Sequence, residues 1–296
     1  MGEVPEERRR LVSSAYRMLG TIAEAEDAVQ ETYVRWYRLS DAERAAIGNP
    51  QGWLTRVAGR VCLDVLGSAR QRRERYVGEW LPEPVPAQFF SGSRDGAEDP
   101  LDRITFEESV STAVLVVMEA MTPAERVAFV LHDVFGLPFP EIALVVGRTP
   151  AAVRQLASSA RRRVREHDAV GGDRREHDAV ARAFARAAGT GDLAALAALL
   201  DPSVTVRSDG GGVVSAARRP VRGVDDAARF LLGIARKNPG TVAVEEVTGD
   251  GLAYRFEQGP DVRALLNLRV RAGLVTDVWI QLNPAKLGTW RATGAG

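Results

Sequence analysis

The sequence predicts a multi-domain protein. Two all-α helical domains, the second carrying a helix-turn-helix, are followed by an α+β domain built on a curved antiparallel sheet. Three observations predict this. Residues 8–39 and the stretch from Trp53 to Tyr76 carry helical patterns, with apolar residues at three-to-four spacing. Residues 122–165 hold three short helical stretches separated by glycines, the last of them basic. Beyond Glu176 the period changes, and TVAVEEV, LAYRFEQ, VRALLNLRV and LVTDVWIQL follow one another between turn signals.

A length of 296 residues suits two or three domains, and 45% hydrophobic with 26% charged residues is ordinary for a globular chain. No apolar run approaches the length of a membrane span, and MGEVPEERRR lacks the apolar core of a signal peptide. A cytoplasmic protein with no membrane partner is therefore expected. One cysteine, Cys62, excludes an internal disulfide, and with 3 histidines neither a metal site nor a cofactor is expected. The formal net charge of zero hides an uneven distribution. Arginines cluster at 70–75 and 161–165 and acids at 98–108, and local basic patches bind phosphate whatever the total charge.

In the first helical domain the second helix is capped by Thr21 with Glu24 at the box position. Ile22, Ala25, Val29, Tyr33 and Trp36 form its apolar stripe, and Asp27, Gln30 and Glu31 share the opposite side. Residues 41–49 read as a loop around Gly48, Asn49 and Pro50. A long helix from Trp53 then carries Leu54, Val57, Val61, Leu63 and Leu66 on one side. Arg56, Arg60, Arg70, Arg72, Arg73 and Arg75 become denser toward its C-terminal end, where cations also suit the helix dipole. Residues 80–100 lose all periodicity and read as a linker, although Trp80, Leu81, Phe89 and Phe90 are too apolar for a solvated one.

Thr122, Pro123 and Glu125 spell a capping box with proline at the first helical position, and Gly136 ends that helix. Pro140 opens a second helix that Gly147 closes, and Thr149 with Pro150 starts a third. Val153, Leu156, Ala157, Ala160 and Val164 give the third helix its packing side. Arg154, Gln155, Ser158, Ser159, Arg161 and Arg162 give it a basic polar side shaped for a major groove. A packing module with solvated arginines is the plain alternative; the arginine-rich helix upstream favours DNA.

The doubled REHDAV at 165–170 and 175–180 straddles Gly171 and Gly172 and reads as a hinge. Helices over 177–188 and 192–200 come next, then a strand broken by three consecutive glycines, then a helix over 224–236, then the four strands. Helices packed on one face of such a sheet leave a concave side able to line a pocket.

Taken together, DAVQETYVRWY, NPQGWLTRVAGRVCLDVLGSARQRR and the helix-turn-helix resemble the region-2 and region-4 pair of an extracytoplasmic-function (ECF) sigma factor. The C-terminal part resembles a SnoaL-like (ketosteroid-isomerase-like) domain. The match is to the subgroup with a fused SnoaL-like extension, marked by three motifs. These are W-L-P-E-P (Trp80, Leu81, Pro82, Glu83, Pro84), D-G-G-G (Asp209, Gly210, Gly211, Gly212) and N-P-x-K-L (Asn283, Pro284, Lys286, Leu287). Residues 1–79 would form the region-2 domain, 80–108 the linker, 109–167 the region-4 domain and 168–296 the extension.

The resemblance implies roles residue by residue. Asp27, Gln30 and Glu31 match the surface that grips core RNA polymerase. Trp53, Arg56, Arg60, Arg70, Arg72 and Arg73 match the part that opens and reads the −10 element of promoter DNA. Arg154, Gln155, Ser158 and Ser159 match the base-facing side of the −35 helix, with Arg161 and Arg162 on phosphates. The linker motif, the Asp209–Gly212 loop and the Asn283–Leu287 tail match regulatory contacts. They would make the extension a built-in regulator in place of a separate anti-sigma protein, with room for a small-molecule ligand in its pocket. Gly67, Ser159, Val213 and Ala285 depart from the residues usual in the family. Catalysis by the extension would need a carboxylate in an apolar pocket facing an oxyanion donor. Asp209 and Tyr254 offer only the residue types, so no catalytic residue is expected. Two other readings remain: a ligand-responsive helix-turn-helix regulator, or a sigma-like protein whose extension keeps isomerase or cyclase activity.

Overall fold

The computed structural model describes residues 4–73, 76–90, 111–166 and 173–291. The chain forms two compact units. Among the described residues, one comprises 4–73, 88–90 and 114–166, and the other comprises 76–87, 111–113 and 173–291.

The helical unit begins with α1 (Val4–Leu19) and α2 (Ile22–Arg38), then α3 (Asp41–Ala46) and α4 (Pro50–Arg73). Thr21 caps α2 by accepting the Glu24 N–H. Residues 41–46 are a helix and not the expected loop, because Ser40 and Glu43 form a full capping box. Two reciprocal cap bonds offset the poor propensity of so short a helix. α5 (Thr112–Glu119) leads to α6 (Pro123–Phe129), which runs into a single π-helical turn, Val130–Val134. α7 (Phe139–Val146) ends at Gly147, whose φ of 69° is left-handed, and α8 (Pro150–Glu166) follows.

Within this unit α4 packs directly on the helix-turn-helix. Gly59 makes the approach possible, since a Cβ there would stand 3.0 Å from Leu131 Cδ1 and 3.2 Å from Val145 Cγ1. Arg126 of α6, only 3% exposed, ties the ends of α1 and α5 together. It donates to Met118 O at 3.0 Å and Met18 O at 2.8 Å and pairs with Glu119. Carbonyls at helix C-termini lack intrahelical partners, so a buried guanidinium is a natural cap for them. Arg17 is buried as well, donating to Ser13 O at 2.9 Å under the rings of Phe90 and Phe135. Burial lowers both guanidinium groups to about 9, so each stays charged at neutral pH.

The second unit contains α9 (Arg174–Thr190), α10 (Leu193–Ala198), β1 (Leu200–Asp209), β2 (Val221–Arg222) and α11 (Val224–Lys237). β3 (Val242–Thr248), β4 (Gly251–Gln258), β5 (Asp261–Arg271) and β6 (Leu274–Gln281) complete a six-stranded sheet in the order β2-β1-β6-β5-β4-β3. The sheet is mixed, not purely antiparallel, because β6 returns alongside β1 in the same direction. Register shifts interrupt the β1–β6, β4–β5 and β5–β6 ladders, and such bulges are what bend a sheet. One face is apolar. Val204, Val206, Val278, Ile280, Leu266, Leu268 and Tyr254 pack there with Phe184, Leu196 and Leu231 of the helices. The opposite face carries Asp209 and Gln281.

Candidate nucleic-acid interface and linker-docking site

α8 is started by Thr149, whose hydroxyl accepts the Ala152 N–H at 3.2 Å, with proline at its first position. Val153, Ala157, Ala160 and Val164 are buried, which turns Arg154, Gln155 and Ser158 to the exposed side. Those three make no side-chain hydrogen bond or ion pair among the described residues; the Arg154 guanidinium lies 5.4 Å from the Phe139 ring centre. Arg162 is exposed with Glu166 at 3.7 Å. Ser159 and Arg161 are turned inward. The Ser159 hydroxyl donates to Glu125 Oε1 at 2.9 Å, and Arg161 pairs with Asp133 at 2.7 Å. Both are engaged by neighbouring acids of the helix-turn-helix rather than left to solvent alone.

On α4, Trp53 packs against Trp36 with ring centres 5.2 Å apart. Arg56 pairs with Glu141 at 3.1 Å, and Arg60 donates to Val145 O at 3.0 Å, capping α7. Two of the arginines expected at the −10 element are thus engaged by the helix-turn-helix. Arg70, Arg72 and Arg73 lie on α4, but their side chains fall outside the described residues. On α2, Asp27 and Gln30 are exposed and Glu31 pairs with Arg35 at 2.8 Å.

The three marker motifs meet at one buried point in the second unit. Asp209, fully buried at the end of β1, accepts four hydrogen bonds. They come from Tyr76 Oη at 2.6 Å, Leu81 N at 3.0 Å, Gly211 N at 2.9 Å and Lys286 Nζ at 2.7 Å. Lys286 is 6% exposed and also donates to Leu81 O at 2.6 Å. Its ammonium sits 4.2 Å from the Trp80 ring centre and 5.2 Å from that of Tyr76, a cation–π cage. Burial, then the bond to Asp209, pushes the Tyr76 phenol well above its ordinary range.

Around this ion pair the linker backbone is held at further carbonyls. Gln281 Nε2 reaches Pro82 O at 3.3 Å, and Trp290 Nε1 reaches Pro84 O at 2.7 Å. Asn283 donates to Tyr76 Oη at 3.0 Å and caps the 3-10 turn Pro284–Lys286, while Leu287 packs with Leu265 and Trp290. Gly211 has a φ of 65°, and a Cβ there would come within 2.5 Å of Asn283. Gly210 would clash with Val214 O at 2.1 Å, and Gly212 approaches Val77. Sequence reasoning missed Tyr76, Gln281 and Trp290. Only Trp290 carried a signal, a large apolar side chain just past the N-P-x-K-L tail.

Asp209 and Tyr254 do not form a dyad. Tyr254 lies on the apolar face and donates to Ala181 O at 3.2 Å, across the sheet from Asp209. Among the described residues there is no cluster of three or more metal-ligating side chains, and no helix is long and apolar enough to cross a membrane.

The comparisons with known proteins follow the same division. Residues 4–73 match the Sigma-70 region 2 model and residues 111–164 the Sigma-70, region 4 model. The ECF RNA polymerase sigma factor SigJ of Mycobacterium tuberculosis is 40% identical over 294 residues, spanning 94% of this chain and 90% of that protein. The chain belongs to the ECF RNA polymerase sigma factors. The probable ECF sigma factor SigI of the same species is 37% identical over 292 residues, covering 98% and 95% of the two chains. The crystal structure of Mycobacterium tuberculosis SigJ matches this sigma factor over 96% of both chains, with a TM-score of 0.73 and 35% identity. The likeness therefore runs through the extension as well as regions 2 and 4.

Proposed function

We propose that this sigma factor recruits core RNA polymerase through the exposed side of α2, handles the −10 element with α4 and reads the −35 bases with Arg154, Gln155 and Ser158. The extension regulates the process by holding the linker between the two reading regions. The factor works in the cytoplasm, where polymerase and promoters are. The observation that carries this reading is the docking of residues 76–87 on the extension through Asp209 and Lys286. With residues 76–87 pinned, less of the linker is left to extend, so docking limits how far regions 2 and 4 can part. Arg56 and Arg60 support the same reading, since both are tied to α7 and must be released to meet DNA.

The extension is non-catalytic on this account. Asp209 has spent its acceptor capacity on four donors and has none left to act as a general base.

Run-off transcription with purified core polymerase tests the proposal. Truncation from Asn283 onward removes Lys286 and Trp290 and frees the linker. Transcript should rise, roughly tenfold if docking is weakened by one pK-sized step in free energy. If that protein and one truncated before residue 170 both match full length in polymerase binding and promoter activity, the extension is not a regulator.

A further inference from the structure

The hairpin of β3 and β4 holds a helix that begins 138 residues earlier in the chain. Asp250, in its turn, accepts Thr112 N at Oδ2, 2.8 Å, and Ala113 N at Oδ1, 3.1 Å. These are the first two residues of α5, the opening helix of the segment matched to region 4. The first amides of a helix have no intrahelical acceptor and carry the positive end of its dipole, so a bidentate carboxylate is their best partner. α5 has no acid in its first turn and takes its carboxylate from the extension.

Asp250 is itself locked in place. Its N–H donates to Thr248 Oγ1 at 3.3 Å, the Thr248 hydroxyl donates to Asn267 Oδ1 at 3.1 Å, and Asn267 Nδ2 returns to Thr112 Oγ1 at 2.9 Å. Thr112, Thr248 and Asn267 are all buried. Burial pushes the Asp250 carboxyl up, and the bonds from Thr112 and Ala113 pull against that rise. The same hairpin takes Ala87 N on Val247 O at 2.9 Å. It therefore grips the chain where residues 76–87 end and again where α5 begins.

We infer that Asp250 is a positioning residue for promoter reading: by capping α5 from the extension it fixes where region 4 starts, and so sets the tolerated spacing between the −35 and −10 elements. This rests on the sigma-factor reading above but not on the Asp209 site, which lies at the end of a different strand.

The test uses the full chain with core polymerase, comparing wild type with Asp250→Ala and Asp250→Asn. Asn keeps one acceptor oxygen and the side-chain volume, which guards against simple misfolding. Two readouts are taken: amide exchange of residues 112–119, and run-off transcription from promoters whose −35 to −10 spacer varies by one or two base pairs. Asp250→Ala should speed exchange in the first turn of α5 by about tenfold, as expected for loss of a helix cap. It should also flatten the spacer preference, and Asp250→Asn should do both to a smaller degree. Unchanged exchange would mean Asp250 does not cap the helix, and faster exchange with an unchanged spacer profile would mean that the cap does not position region 4. Either result overturns the inference. Polymerase recruitment by the wild-type chain is scored separately, and its absence would count against the proposed function instead.

Discussion

The exposed side of α8 and the pocket around Asp209 use similar residue types and end in opposite states. On α8 an arginine, a glutamine and a serine stand in solvent with no polar partner among the described residues. Around Asp209 a lysine, an asparagine and a glutamine are buried beside a half-buried tyrosine, and their hydrogen bonds run to the chain's own linker or to one another. On the proposed reading, the difference is between a site for an outside ligand and a site whose ligand is built in. Donors left unspent can read a base edge, whereas donors already satisfied hold a segment in place.

The comparison breaks most visibly at Lys286. Lys286→Met leaves Asp209 buried without its counter-ion, which should lower stability by about 3–5 kcal/mol. Thermal unfolding of the full chain measures this, and adding Asp209→Leu should recover much of the loss. A fall below about 1 kcal/mol, the range of a surface pair, would mean the site is not closed.

α8 should behave the other way. Arg154→Ala and Gln155→Ala should leave the melting temperature alone, yet each should weaken promoter binding by about 1–3 kcal/mol and relax one base position. A drop in stability without a change in sequence preference would make these residues part of the packing.

Within α8 the neighbours Ser158 and Ser159 sharpen the contrast. Ser159→Ala should cost about 1 kcal/mol through its lost bond to Glu125, while Ser158→Ala should stay within about 0.5 kcal/mol. Burial pushes the Glu125 carboxyl up, but its bonds to Thr122 and Ser159 prevail and hold it below its usual range. The stability it contributes is therefore full above the ordinary carboxyl range and disappears as pH falls through the folded value. The Ser159→Ala penalty should be largest at neutral pH and vanish in acid, as urea melts across pH would record.

The smallest effect is expected at Cys62. Burial, and secondarily the Glu24 charge, pushes its thiol to about 12, so a thiol reagent at pH 8 should not label the native chain. Cys62 then reports whether Lys286→Met opens the helical half as well as the extension.

Much of this architecture can be read from local signals. Thr21, Thr122 and Thr149 write their caps in the sequence, and Gly136 and Gly147 take the left-handed conformations that helix stops require. W-L-P-E-P, D-G-G-G and N-P-x-K-L stand out as motifs, and all three converge on Asp209 and Lys286. What resists reading is set by distant partners. The helix over 41–46 hides behind Gly48 and Asn49 although Ser40 and Glu43 spell its cap. The parallel pairing of β1 with β6 joins strands some seventy residues apart. Ser159 and Arg161 flank the buried Ala160, so their helical positions alone do not decide which way they turn. Glu125 and Asp133, from another helix, decide it. Asp250 looks like any turn acid until Thr112 and Ala113 are beside it.

On the proposed function, linker docking on the extension restrains the factor, and substituting Asp209 probes this at its anchor. Run-off transcription by core polymerase should be compared between wild type and Asp209→Ala at equal polymerase occupancy. Asp209→Ala should give more transcript and lose amide protection at Leu81. Loss of protection at Leu81 with unchanged transcript would contradict it.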